Sequence, residues 1–185
     1  MKKIISSSVL FFLIFGSVLS TKVSAQTFTN DDLKTMMAND WVRAKAYTVD
    51  YLNTMPADKY SFKAVDSIRS FAMQMLHLAT ANVFLMSSAT DQKPLSWASF
   101  ELEKRTTAQS HDSVMYYVTA SYDFCLNAVK SSDPAKWKDN VKLFGFETTK
   151  FALMNKTFEH QTHHRGQTTI YIRLNGIKPP EERLF

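Results

Sequence analysis

Four of the five histidines of this chain fall in two places in the sequence. His77 lies alone in an apolar run near the middle, and His160, His163 and His164 occur together near the C-terminus. His160 and His164 are four residues apart, so on a helix they project from nearly the same face, with β-carbons within about 6 Å. With His77 from another helix they would supply three imidazoles, a ligand set typical of catalytic metal sites that keep an open coordination position.

Each of these side chains also has a simpler explanation. A lone histidine in an apolar helix is more often a core residue with a satisfied hydrogen bond than a metal ligand. His163 is rotated by about 100° from His164 on a helix, so we expect it beside the site or at the surface. Arg165 and Gln167 are candidates for contacts to a metal ligand or a substrate, although a solvated charge is the favoured interpretation of Arg165.

Two common metal motifs do not fit this sequence. The His-Glu-x-x-His pattern of zinc proteases would align on His160 and His164, but Gln161 takes the glutamate position, and an amide is not a general base. Di-iron bundles need paired Glu-x-x-His elements, and neither Glu147 nor Glu159 has a histidine three residues later. A single mononuclear, histidine-rich site is the remaining interpretation.

The N-terminus has the pattern of a secretory signal peptide. Two lysines follow Met1, an apolar stretch runs from Val9 to Leu19, and small residues precede Gln26, so we predict cleavage after Ala25 and export from the cytoplasm. The apolar stretch is too short for a spanning helix, and we expect no stable membrane insertion after cleavage. The remaining 160 residues form one domain, residues 26–185.

Charge and cysteine content narrow the classes of function. Cleavage removes three lysines and no acid, leaving 19 basic against 17 acidic residues, so we do not expect nucleic-acid binding. Cys125 is the only cysteine. An exported chain with one cysteine has no internal disulfide, so packing must hold the fold together.

Apolar residues recur at three- and four-residue intervals and only four glycines occur, which predicts an all-α fold. The pattern predicts helices from about residue 30 to 53, 70 to 87, 110 to 129 and 147 to 174, with Met36 and Val42 among the inward-facing residues of the first. Residues 97–109 are ambiguous. Four long amphipathic segments in one small domain indicate a four-helix bundle.

Several segments resemble the DinB family. Residues 160–167 (HQTHHRGQ) and 171–180 (YIRLNGIKPP) are similar to its terminal helix and the exit from it. Further similarity lies in Ser70-Phe71 opening a helix that carries His77-Leu78-Ala79, and in residues 121–124 (SYDF). The resemblance extends over essentially all of the chain after residue 25.

The resemblance implies a DinB/YfiT-like four-helix bundle, often a homodimer, that binds one divalent metal ion, zinc or nickel. It implies that His77, His160 and His164 are the metal ligands, because they match the family's histidine from the second helix and its His-x-x-x-His from the fourth. Members include thiol S-transferases that use bacillithiol and maleylpyruvate isomerases that use mycothiol.

Two classes of function follow from these expectations. The first is a metal-dependent enzyme, either a hydrolase that activates water or a thiol S-transferase, acting on an unknown small molecule. The second is a non-catalytic metal-binding bundle with a structural or partner-binding role. Catalytic residues beyond the three ligands are not recognisable in the sequence.

Overall fold

The computed structural model describes residues 27–185, so the predicted signal peptide lies outside the described residues. Four long helices follow one another along the chain: α1 (Asn30–Thr54), α2 (Phe71–Thr90), α3 (His111–Ser131) and α4 (Lys150–Leu174). The predicted all-α four-helix bundle is confirmed.

A hydroxyl side chain caps the N-terminus of each long helix. Thr29, Ser70, Ser110 and Thr149 each accept a hydrogen bond from the backbone N–H three residues later, at 3.1 to 3.2 Å. At α1 the bond is reciprocated, because Asp32 accepts a hydrogen bond from the backbone N–H of Thr29 at 2.9 Å. These caps satisfy N–H groups that have no partner within the helix, and they fix where each helix begins.

Helix α2 lies between α3 and α4 and is therefore apolar on most of its surface. Ten of its apolar side chains are no more than 3 % exposed, and the core they form extends onto α1 through Trp41 and Leu52. The prediction for α1 was wrong at two positions, since Met36 is 49 % and Val42 is 51 % exposed. Both side chains are largely exposed to solvent, which the spacing of apolar residues alone did not show.

Helix α4 begins at Lys150, three residues later than predicted. The preceding residues form an antiparallel hairpin, β1 (Asn140–Leu143) with β2 (Phe146–Thr149). Phe144 and Gly145 connect the strands with positive φ angles of 51° and 85°, the conformation that a two-residue hairpin turn requires. Glu147 therefore belongs to a strand, opposite Lys142.

The segment between α2 and α3 is mostly irregular and contains two short 3-10 turns, Leu102–Lys104 and Thr106–Ala108. Leu102 is fully buried and Glu103 is 9 % exposed, so the first turn is anchored in the bundle. Across residues 27–185, no helix is both long enough and apolar enough to cross a bilayer.

Candidate metal centre

The structure brings the three predicted ligands together. His77 projects from α2, and His160 and His164 project from α4, the helix that packs beside it. One side-chain nitrogen from each of the three lies within 4.8 Å of the other two. Their ring centroids are 4.3 to 5.5 Å apart.

The spacing within the pair from α4 fits a common metal ligand geometry. Nε2 of His160 and Nε2 of His164 are 3.1 Å apart. Two nitrogens that each lie about 2.0 to 2.1 Å from one ion are separated by about 2.9 to 3.4 Å for ligand angles between square and tetrahedral. The observed distance falls in that range, so this pair needs little rearrangement to share an ion.

The environment of the three histidines keeps them neutral at pH 7. Burial, together with the neighbouring histidines, lowers the pKa of His160 to about 4 and that of His164 to about 3. Burial, followed by the charge of Arg69, also lowers the pKa of His77. A neutral imidazole has the lone pair that a metal ion requires.

Nδ1 of His160 is buried without a hydrogen-bond partner within residues 27–185, whereas Nδ1 of His77 lies 3.0 Å from a carboxylate oxygen of Glu103. Neither atom belongs to the Nε2 pair that would share an ion. The neutral donor set and the 3.1 Å spacing of the Nε2 pair fit a divalent metal ion such as zinc or nickel.

Glu103 lies beside His77 and was not predicted from the sequence. Its Oε2 atom is 3.0 Å from Nδ1 of His77 and 3.0 Å from Nε of Arg69. At this distance the carboxylate pairs with Nδ1 of His77, which leaves Nε2 of His77 for a metal ion. Metal-binding histidines commonly have a carboxylate as an outer partner, and Glu103 is placed to serve that role.

A chain of side-chain contacts supports His164. Nε2 of Gln74 lies 2.8 Å from Nδ1 of His164 and donates a hydrogen bond to Oε1 of Gln167. Gln167 in turn contacts His163, with 2.9 Å between its Nε2 and Nε2 of the imidazole. If the side-chain amides of Gln74 and Gln167 are both turned by 180°, every contact is kept, and Nδ1 of His164 donates a hydrogen bond to the amide oxygen of Gln74. Nε2 of His164 is then free to bind a metal ion.

The three residues of α4 that were candidates for positions beside the metal site, His163, Arg165 and Gln167, have different surroundings. Gln167 is exposed but linked to His164 through Gln74, and the exposed His163 lies at the outer end of that chain. Arg165 is only 6 % exposed, so its interpretation as a solvated charge was wrong. Its guanidinium donates to Gln161 Oε1 at 3.0 Å and lies 4.6 Å from the ring centre of Tyr47, facing the core rather than the histidine group.

A cavity of about 680 Å³ lies next to residues that contact two of the histidines, although none of the three histidines lines it. Glu103, which contacts His77, and Gln74, which contacts His164, both line it. Its remaining wall is largely apolar and includes Ile68, Met73 and Ile170. The volume lies within the range of small-molecule sites, which are typically about 300 to 1,000 Å³.

These features define a four-helix bundle in which two helices share a histidine group that could hold a metal ion. The sequence profile of the DinB family matches residues 26–183, and the chain belongs to that family. This confirms the resemblance found in the sequence. Comparison with curated proteins gives no significant match.

Two solved structures share the fold. A DinB-like protein from Bacillus cereus ATCC 10987 has a TM-score of 0.68 at 18 % identity, covering 79 % of this chain and 95 % of its own. A DinB-like protein from Bacillus subtilis, YjoA, has a TM-score of 0.61 at 16 % identity, covering 81 % and 96 %. At these identities the similarity establishes the bundle alone.

Proposed function

We propose that this chain is an exported, metal-dependent enzyme of the DinB family, of the hydrolase or thiol S-transferase type. The observation that carries the proposal is the convergence of His77, His160 and His164, two of which contact residues that line a cavity large enough for a small molecule. Three protein nitrogens leave coordination positions for a water or substrate, as in catalytic rather than structural zinc sites.

Each residue of the site has a defined part in this proposal. His77, His160 and His164 would hold the ion, which would supply Lewis acidity and lower the pKa of a water or thiol. Glu103 orients the ring of His77, and Gln74 orients that of His164.

Export bears on the choice between the two reaction types. If residues 1–25 are removed in transit, the protein works where low-molecular-weight cytoplasmic thiols are scarce, and water is the more available nucleophile. This favours the hydrolase type. Homodimer formation remains a prediction from the family resemblance.

The first experiment is metal analysis of the purified protein. We expect about one zinc or nickel ion per chain, lost in His77→Ala and His160→Ala. His111→Ala is the matched control, since it removes an imidazole outside the group and its contacts, and it should keep the metal. Wild-type protein that binds no zinc or nickel, and whose melting temperature neither ion changes, would refute the proposal.

A second measurement separates an enzyme from a structural metal protein. Cobalt(II) replaces zinc and reports its own coordination through its visible spectrum. We expect azide or an added thiol to change that spectrum, because an open position accepts a ligand. A spectrum that no added ligand alters would indicate a closed coordination sphere and support the non-catalytic alternative.

A further inference from the structure

The cavity beside the histidine group has a cation at its edge. Among the described residues 27–185, Arg69 is the only basic one that lines it. Its side chain is 37 % exposed, and its Nε contacts both carboxylate oxygens of Glu103, at 3.1 and 3.0 Å. The hydroxyl of Tyr171 donates to the backbone oxygen of Arg69 at 2.8 Å. Arg69 is therefore held in place at both its backbone and its side chain.

The terminal nitrogens of Arg69 are available for a ligand. Within residues 27–185 its two Nη atoms have no hydrogen-bond partner, because only Nε is used by Glu103. The two Nη groups form a planar fork that matches the two oxygens of a carboxylate. An arginine already fixed by another contact loses less side-chain entropy when such a ligand binds.

The start of helix α2 does not offer an alternative anion site in this cavity. The backbone N–H of Phe71 donates to Phe62 at 3.0 Å, and that of Ala72 donates to Tyr60 at 2.9 Å. The next N–H, of Met73, is bound by Ser70 at 3.2 Å. With these donors occupied, Arg69 is the group that would bind an anion here.

The rest of the cavity restricts what the anion is attached to. Ile68, Met73 and Ile170 give it an apolar wall, and its volume of about 680 Å³ holds a ligand of moderate size. Arg69 therefore offers the contact for the anion, and the apolar wall accommodates an uncharged body attached to it.

We propose that the substrate is a small carboxylate with an apolar body, whose carboxylate is bound by Arg69 and whose body lies on the apolar wall. The inference rests on the proposed function, since the same cavity would hold the substrate of the metal-dependent reaction. Glu103 contacts both Arg69 and His77, with 3.0 Å to each, so one carboxylate links the arginine to the histidine group.

Hexanoate and its neutral counterpart hexanamide are suitable probes, and their binding can be measured by ligand-detected NMR titration. The first titration uses metal-free protein in the presence of a chelator. We expect wild type to bind hexanoate about 10-fold more tightly than hexanamide, and Arg69→Gln to lose that preference. The control Arg173→Gln removes an exposed arginine of α4 that does not line the cavity, and it should keep the preference for hexanoate.

A second pair of variants tests the same inference without touching the Arg69–Glu103 contact. Ile170 lines the cavity and is 55 % exposed, so polar substitutions there should leave the fold intact. Ile170→Glu should weaken hexanoate binding by about 3- to 10-fold relative to Ile170→Gln, because only the former places a negative charge by the site. Binding of hexanamide should be equal in the two variants.

Repeating the titrations with zinc distinguishes failure of this inference from failure of the proposed function. A protein that prefers hexanoate but does not bind zinc would support the carboxylate site and refute the metal-dependent function. A protein that binds zinc but has equal affinities for hexanoate and hexanamide would support metal binding and refute the carboxylate site. The inference is overturned if wild type does not prefer hexanoate, or if Arg69→Gln and Ile170→Glu both retain the preference.

Discussion

Replacing Glu103 by glutamine tests whether this carboxylate supports metal binding through His77. The substitution keeps the size of the side chain and removes its charge. Glu103 and His77 are both mostly buried, with side chains 11 % and 16 % exposed, and their contact is 3.0 Å. Loss of an interaction with a charged, buried partner costs about 1.5 to 3 kcal/mol, and each tenfold change in affinity corresponds to about 1.4 kcal/mol.

We therefore expect Glu103→Gln to raise the dissociation constant for zinc by about 10- to 100-fold, the range found for outer partners of metal ligands. The measurement is competition for zinc between the protein and a chromophoric chelator at fixed pH and ionic strength. Glu101→Gln is the matched control, because Glu101 lies in the same segment, is 66 % exposed and pairs only with Lys104. It should change the affinity by less than about 2-fold.

The melting temperature of the metal-free protein provides a check on folding. The glutamine keeps an oxygen that can accept a hydrogen bond from His77, and the Arg69–Glu103 pair that is lost is partly exposed, so the free energy of unfolding should fall by less than about 1 kcal/mol. The reasoning is refuted if Glu103→Gln and Glu101→Gln bind zinc with equal affinity while His77→Ala does not bind it. Such a result would show that His77 binds metal without help from Glu103.

Three further predictions concern other parts of the molecule. Gln74→Met should weaken zinc binding by about 10-fold in the same competition assay, because His164 loses its partner, and an unchanged affinity would contradict this role. Leu102→Ala should lower the free energy of unfolding in urea by about 2 to 5 kcal/mol, since Leu102 is fully buried, and a loss below 1 kcal/mol would show that the turn is not anchored there. Burial raises the pKa of Tyr122 to about 12. The neutral phenol of Tyr122 should therefore contribute fully to the free energy of unfolding below about pH 10, and this contribution should be lost as the pH rises through about 12. Tyr122→Phe should make the loss of stability with rising pH less steep, whereas the exposed control Tyr116→Phe should not.

The spacing of the histidines was sufficient to predict which of them converge. Residues four apart share a face on any helix, so His160 and His164 were paired before the fold was known. His77 needed only the assumption that its helix packs against theirs. The boundaries of the helices followed from hydroxyl caps and from proline and glycine, except where the hairpin replaced the start of α4.

The supporting residues were not predicted, because their contacts depend on tertiary structure. Glu103 lies in the irregular segment that joins α2 and α3, where no periodicity indicates which way a side chain points. Arg165 is buried because Tyr47 and Gln161 provide a ring face and an amide oxygen, one of them from another helix. Gln74 alone had a usable signal, since it lies three residues before His77 and so shares its side of α2.

The position of the histidines on two helices has a consequence for folding. His77 and His160 are about 80 residues apart in the sequence, and an ion bound to both would cross-link α2 to α4 in a chain whose single cysteine, Cys125, is buried and free. Under the proposed function, each tenfold rise in free metal above the dissociation constant adds about 1.4 kcal/mol to the stability of the native state. The fraction of folded protein would then depend on the metal supply of the compartment, as it depends on redox conditions in disulfide-bonded proteins.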